Sequence, residues 1–199
     1  MSGVLLVALS GIGAGCLHAI SGPDHIAAIL PLAVAAQQRA VVVGASWGLG
    51  HASGAGLVGA AAIVIGQRFP IATISMVAER AVGVLLIILG IWGLMQLRAR
   101  THPTRHDHRH ESRAAMHVGL FHGIAGSAQL VGVLPSLFIP TLAGKLLFLS
   151  AFGAGSAASM ALFAHLAGTT RAVVHHRILL GGSSMLSVVI GVGWIALAA

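Results

Sequence analysis

Two histidines and an aspartate lie together in the stretch His18-Ala19-Ile20-Ser21-Gly22-Pro23-Asp24-His25, inside an apolar run from Val4 to Ala36. Asp24 is one of only four carboxylates in the chain. Neutral imidazole nitrogens with a carboxylate oxygen make a donor set for a divalent first-row metal such as nickel, cobalt, zinc, copper or iron. The stretch has no thiolate and no methionine, which disfavours copper(I). Raw affinity favours copper over nickel, so geometry has to choose the ion. Ionisable side chains are costly in apolar surroundings, and inside a membrane segment they mark function by default.

The helix carrying these residues has to be interrupted. Unbroken from Gly3 to Gln37 it would run roughly 50 Å, against a hydrocarbon core of about 30 Å. Gly22-Pro23 is the expected break, because Pro23 lacks an amide hydrogen and clashes with the carbonyl four residues back, while Gly22 tolerates unusual dihedrals. Pro23 then opens a second helix, with Ser21 or Gly22 as its cap and Asp24 in its first turn. In a continuous helix His18 and His25 would stand about 10.5 Å apart along the axis, awkward for sharing an ion whose metal–nitrogen bonds are about 2.1 Å. Unwinding at Gly22 lets them converge. The carbonyls left open at the end of the first half-helix favour a cation, and Asp24 adds a full negative charge.

The composition sets the solvent of this site. Of 199 residues 57% are hydrophobic and 8% charged, where a soluble domain carries about 25% charged residues. The expected fold is an all-α integral membrane protein with spans at Gly3–Gln37, Ala40–Ile65, Pro70–Leu97, Met116–Pro140, Lys145–Gly168 and Ile178–Ala199, six transmembrane helices in all. No Lys or Arg precedes the first apolar run, so the first helix reads as retained rather than as a cleaved signal peptide. The single cysteine, Cys16, excludes an internal disulfide and reads as a packing residue. The net charge of +7 reflects topology rather than a nucleic-acid partner. Arg39, Arg98, Arg100, Arg105, Arg109, Arg113, Arg171 and Arg177 fall in loops one, three and five, and only Arg68 and Lys145 in loops two and four. The positive-inside rule then puts the odd loops in the cytoplasm and both termini outside.

The chain also repeats itself. At an offset of 104, Gly15–Leu32 aligns with Gly119–Ser136 and pairs His18 with His122, Gly22 with Gly126 and Pro31 with Pro135. At an offset of 105, Gly48-Leu49-Gly50-His51-Ala52 aligns with Gly153-Ala154-Gly155-Ser156-Ala157. Three helices per unit is an odd number, so the halves 1–97 and 116–199, joined by a His-rich loop over 98–115, should form two inverted repeats with the first helix of each broken. That symmetry sets His122 opposite His18 near midplane. Asp24 pairs with Ala128, His25 with Gln129 and His51 with Ser156, so one site dominated by the first half is expected. Ser21, Ser127 and Gln129 are candidates to orient its ligands. Small residues flank His51 and turn it toward the bundle. Glu79-Arg80 and His165 read as interfacial, and His175-His176 as solvated. His102, His106, His108 and His110 make the joining loop a compositional metal-binding candidate as well as a disordered linker.

With these residues in place, the stretch His18 to Ala28 together with Leu49-Gly50-His51 resembles the nickel/cobalt transporter family (NiCoT, or NicO), although the spacer before Asp24-His25 is one residue longer than that family's usual one. The longer spacing, with Ser-Gly ahead of the Asp-His, resembles the nickel permeases of the HupE/UreJ and UreH types. The likeness is strong over Gly15–Gly56, weaker over Gly119–Leu137, and does not extend to the later motifs of the eight-helix members. It implies that His18, Asp24, His25 and His51 handle metal; His122 and Gln129 rest on the repeat alone. The expected function is a secondary transporter, not an enzyme, that moves Ni2+ or Co2+ as substrate across a bacterial or archaeal cytoplasmic membrane. It would have no permanent cofactor, and nickel-enzyme maturation proteins would be candidate partners. A bis-histidine haem protein is a rival that leaves Asp24 unexplained. A metalloprotease would want a His-Glu-x-x-His, which the chain lacks, and a small-anion exporter would want a buried Arg or Lys beside the histidines.

Overall fold

The computed structural model describes residues 3–65, 71–98, 108–125, 134–169 and 173–197. These residues are helical almost throughout: α1 Gly3–Ser21, α2 Pro23–Ala36, a 3-10 turn Gln37–Arg39, α3 Ala40–Ile65, α4 Ile71–Arg98, α5 His108–Ala125, α6 Leu142–Gly168 and α7 Val173–Leu197. The break between α1 and α2 is one residue wide. Gly22 is extended (φ −81°, ψ 106°), its amide still donates to the His18 carbonyl at 3.2 Å, and Pro23, with no amide hydrogen, starts the next helix. α2 ends at Gln37, whose φ of 51° is the one positive value for a non-glycine among the described residues and turns the chain into α3.

Glycines set how the helices meet. Gly11 and Gly15 press on the backbone at Phe148 and Phe152, so α1 runs parallel to α6. Gly119 and Gly123 press on the backbone at Trp47 and His51, so α5 runs parallel to α3. α3 and α6 cross antiparallel, Gly44 against Ala164 and Gly48 against Ala157, and α4 lies antiparallel on α7 with Gly83 and Gly191 facing each other. A Cβ at any of these positions would collide with a neighbouring helix, and such close approach is how helices associate where no hydrophobic force separates them from lipid.

Large apolar side chains such as Leu6, Leu17, Leu57 and Val64 point outward, more than half exposed, as suits a hydrocarbon surround. Five helical stretches among the described residues are long and apolar enough to cross a membrane: Gly3–Ser21, Pro23–Ile65, Met76–Arg98, Leu142–Gly168 and His176–Leu197. The stretch Pro23–Ile65 contains the turn at Gln37, so the run expected as one span over Gly3–Gln37 is two helices, of which α1 alone is long enough to cross. The expected span Met116–Pro140 includes residues 126–133, which lie outside the described residues. α5 begins at His108, so residues 108–115 of the stretch read as a loop are helical; Arg109, Glu111, Arg113, Ala114, Ala115 and Met116 all have good helix propensity.

The short helix α2 is pinned from the side by α7. Pro31 has no N–H to give the Ala27 carbonyl four residues back, and the Ser187 hydroxyl supplies that hydrogen bond at 2.6 Å. The same hydroxyl is 2.9 Å from the Ser183 carbonyl of its own helix, so its single hydrogen has two acceptors within reach.

Candidate metal centre

The break at Gly22 serves the side chains on either side of it. The last turn of α1 carries His18, and the first turn of α2 carries Asp24 and His25. His25 fits because residue 22 has no side chain: a Cβ there would collide with His25 Nδ1 and stand 3.0 Å from Asp24 Oδ1. His51 comes from the middle of α3 and His122 from the end of α5, which Gly119 and Gly123 let sink onto the α3 backbone. Asp24, His25, His51 and His122 are buried; His18 is half-buried with its Nε2 inside.

The five side chains converge. His25 is central, its ring centroid 4.5 Å from that of His18, 4.8 Å from His51 and 5.0 Å from His122. A carboxylate only accepts, so His122 donates from Nε2 to Asp24 Oδ2, 3.0 Å away. Asp24 Oδ1 lies 3.9 Å from His25 Nδ1. Two aromatic rings wall the cluster: Trp47 lies flat on His51 with centroids 5.1 Å apart, and Phe152 stands 5.2 Å from His18.

Polar atoms in this pocket are left over. Both ring nitrogens of His25 and both of His51 are buried without a hydrogen-bond partner among the described residues. An orphaned buried polar group costs about 1–3 kcal/mol, and most native groups of this kind have a protein, water or ion partner. Lone pairs held this close to one another and to a carboxylate suit a cation. Donor atoms of His18, His25 and His51 lie within 4.8 Å of one another, as do those of Asp24, His25 and His122. Coordination at about 2.1 Å asks for donors no more than about 4.2 Å apart, so either set needs only a small inward movement.

The remaining expected site residues are elsewhere. Ser21 is exposed, its hydroxyl turned back to the His18 carbonyl at 3.5 Å, and takes no part in the cluster. Ser127 and Gln129 lie outside the described residues, as do His102 and His106; His108 and His110 are on the first turn of α5. Glu79 is half-buried and His165 exposed, and among the described residues neither belongs to a donor set. Cys16 packs with its Sγ 3.6 Å from the Gly155 carbonyl. The repeat partner of His51, Ser156, is buried and bonds the Gly15 carbonyl at 3.1 Å, a packing contact. The Trp47 wall went unrecognised in the sequence, although a tryptophan one helical turn before a buried histidine is a usable signal.

The fold and site together define a multi-pass, all-helical membrane protein with a buried His/Asp cluster able to hold a metal. Over 209 aligned positions the chain is 27% identical to the urease accessory protein UreH of Bacillus sp. (strain TB-90), an alignment covering 95% of this chain and 90% of the relative. It is also similar to two proteins of Arabidopsis thaliana. It is 31% identical over 170 positions to Chloroplast protein FOR GROWTH AND FERTILITY 2, covering 79% of this chain and 45% of the relative. It is 28% identical over 217 positions to Chloroplast protein FOR GROWTH AND FERTILITY 1, covering 96% and 59%. The chain thus spans about half the length of these plant relatives. No family model and no solved structure matches it.

Proposed function

We propose that the chain is a permease for a divalent first-row transition-metal ion, nickel or cobalt, which occupies the buried cluster as substrate. The observation that carries this reading is the gathering of four imidazoles and one carboxylate into one buried cluster around His25, with the nitrogens of His25 and His51 buried and unsatisfied among the described residues. The ion takes lone pairs from neutral imidazoles, and Asp24 compensates part of its charge, either as a ligand or by fixing the tautomer of an imidazole through the kind of bond it already makes to His122. Rings packed with centroids 4.5–5.8 Å apart suit a small ion better than a porphyrin, which favours this reading over a haem protein. Similarity to a urease accessory protein supports nickel, in line with the resemblance carried by the His18–Asp24–His25 motif.

In this reading the helices form six spans in two inverted halves, both termini are outside a cytoplasmic membrane, and the protein transports rather than catalyses. The packing is consistent with that symmetry. Gly15 meets Phe152 and Ser156 as Gly119 meets Trp47 and His51, and Gly155 meets Ile12 as Gly50 meets Met116, at the offsets of the sequence repeat. The test is nickel uptake by proteoliposomes with cobalt and zinc in competition. Wild-type uptake should saturate and yield to cobalt, and Asp24→Asn, which keeps the shape and removes the charge, should lower it at least the ~10–100-fold typical of losing an outer-shell partner. Near-wild-type uptake by Asp24→Asn would refute the assignment.

A further inference from the structure

The five donor side chains do not form one ring of ligands. They fall into two sets, His18 with His25 and His51, and Asp24 with His25 and His122. His25 is common to both, and its three ring separations are shorter than the 5.6 Å between His18 and His51 or the 5.8 Å between His51 and His122. Its Nδ1 is the nitrogen on the Asp24 side, at 3.9 Å from Oδ1. Both of its nitrogens are buried without a hydrogen-bond partner among the described residues. A neutral imidazole offers one lone pair in the ring plane and carries one N–H. His25 can therefore serve one set at a time.

Resting on the permease reading, we propose that the cluster is two adjoining and mutually exclusive positions for one divalent transition-metal ion, an all-imidazole position (His18, His25, His51) and a carboxylate position (Asp24, His25, His122), with His25 passing the ion between them. The two differ in what they ask of the ion. The all-imidazole position leaves the ion's charge uncompensated in apolar surroundings. The carboxylate position supplies a negative charge, but an ion entering it competes with the existing bond from His122 to Asp24. Neither is a deep trap, which suits conduction: an ion has to bind well enough to enter and weakly enough to leave. The positions also belong to different helices. α1 and α3 hold the ion in the first and α5 in the second, so the step from one to the other transfers the ion's grip from α1 and α3 to α5.

Nickel stoichiometry and X-ray absorption on the purified full chain test this, using at Asp24 and His51 variants that copy residues the second half already carries. The wild-type chain should bind one ion. Asp24→Ala should still bind one, in a purely imidazole environment, and His51→Ser should still bind one with a carboxylate oxygen among its ligands. His25→Ala, which removes a ligand from both positions, should bind at least tenfold more weakly than either. Should a variant fail to fold, Asp24→Asn or His51→Asn replaces it, and the wild-type count stands regardless. Two ions per wild-type chain would overturn the proposal. So would Asp24→Ala and His51→Ser binding as weakly as His25→Ala, or a ligand environment identical in both. A wild-type chain that binds no nickel would overturn the permease reading beneath it, and the two failures are thereby told apart.

Discussion

Replacing Gly22 by alanine tests the link between the helix break and the metal centre. The Gly22 backbone, at φ −81° and ψ 106°, is open to alanine, so no strain arises in the main chain. The clash is with side chains alone. The new methyl would overlap His25 Nδ1, approach its Cε1 to 2.8 Å and Asp24 Oδ1 to 3.0 Å, and the nearest relief is for the imidazole to rotate out of the cluster. Overpacking of this kind costs about 1–3 kcal/mol, offset by about 0.4–1 kcal/mol from the lower entropy of the unfolded chain, so the net loss of stability should be about 0–2.5 kcal/mol. The effect on binding should be far larger, because His25 belongs to both donor sets. We expect nickel affinity to fall by more than the ~100-fold upper end for an outer-shell partner. Isothermal titration of nickel against the detergent-solubilised variant reads the affinity, and thermal unfolding without metal reads the fold. Gly13→Ala is the control: it sits in α1, whose last turn carries His18, with nothing among the described residues within 4 Å of the added methyl, and should bind as wild type. Unchanged nickel affinity in Gly22→Ala would refute the reasoning that the break exists to seat His25.

Three further outcomes are expected. An imidazole that has taken up a proton has no lone pair to give, so nickel affinity read by titration should fall, and never rise, once acid protonates the buried histidines; affinity that rises with acid would contradict histidine ligation. Ser187→Ala strands the Ala27 carbonyl and should cost about 1–3 kcal/mol in thermal unfolding, while Ser187→Thr, which keeps the hydroxyl, should cost less; equal losses would mean the hydroxyl is not what matters. Deleting residues 101–111 should leave nickel binding by the buried cluster intact, and a cysteine placed at residue 106 should be labelled only from the cytoplasmic side; loss of all binding on deletion would make the His-rich stretch the primary site.

Much of the candidate site could be read from the chain because its chemistry is scarce. In a chain with four carboxylates, an aspartate between glycine-proline and histidine in an apolar run stands out, and Gly22-Pro23 announces the break on backbone grounds alone. His122 became visible only through the repeat, since nothing adjacent to it is polar. Other features were beyond sequence reasoning for physical reasons. Trp47 stacks on His51 from one turn earlier in the same helix, a spacing open to sequence, but no local pattern encodes that α5 covers this face of α3 through Gly119 and Gly123. Ser187 looks like any small residue of a membrane helix until Pro31, far away in sequence, leaves it a carbonyl to satisfy. Ser21 was a reasonable ligand-orienting candidate by its position beside the break, but the direction of a side chain at the last residue of a helix is set by neighbours that sequence does not show. The start of α5 inside the polar stretch shows that charge alone does not mark a loop when the residues themselves favour helix.

The two joints at the ends of α2, at Gly22 and at Gln37, make that helix a lever of 14 residues, about 21 Å long. Asp24 and His25 ride at one tip, so the choice of pivot decides their fate. A tilt of about 10° about the Gly22 end moves them by only a fraction of an ångström and swings the far tip instead. The same tilt about the Gln37 end sweeps them through about 3.5 Å, more than the length of a metal–nitrogen bond of about 2.1 Å, and takes the donor sets apart. The Ser187 hydroxyl grips the lever at Ala27, near the His25 tip, and has the Ser183 carbonyl to fall back on when it lets go. Unfastening that grip would free the His25 tip rather than the far one, so a helix that looks like one more buried element is held where a small tilt would matter most to the metal centre.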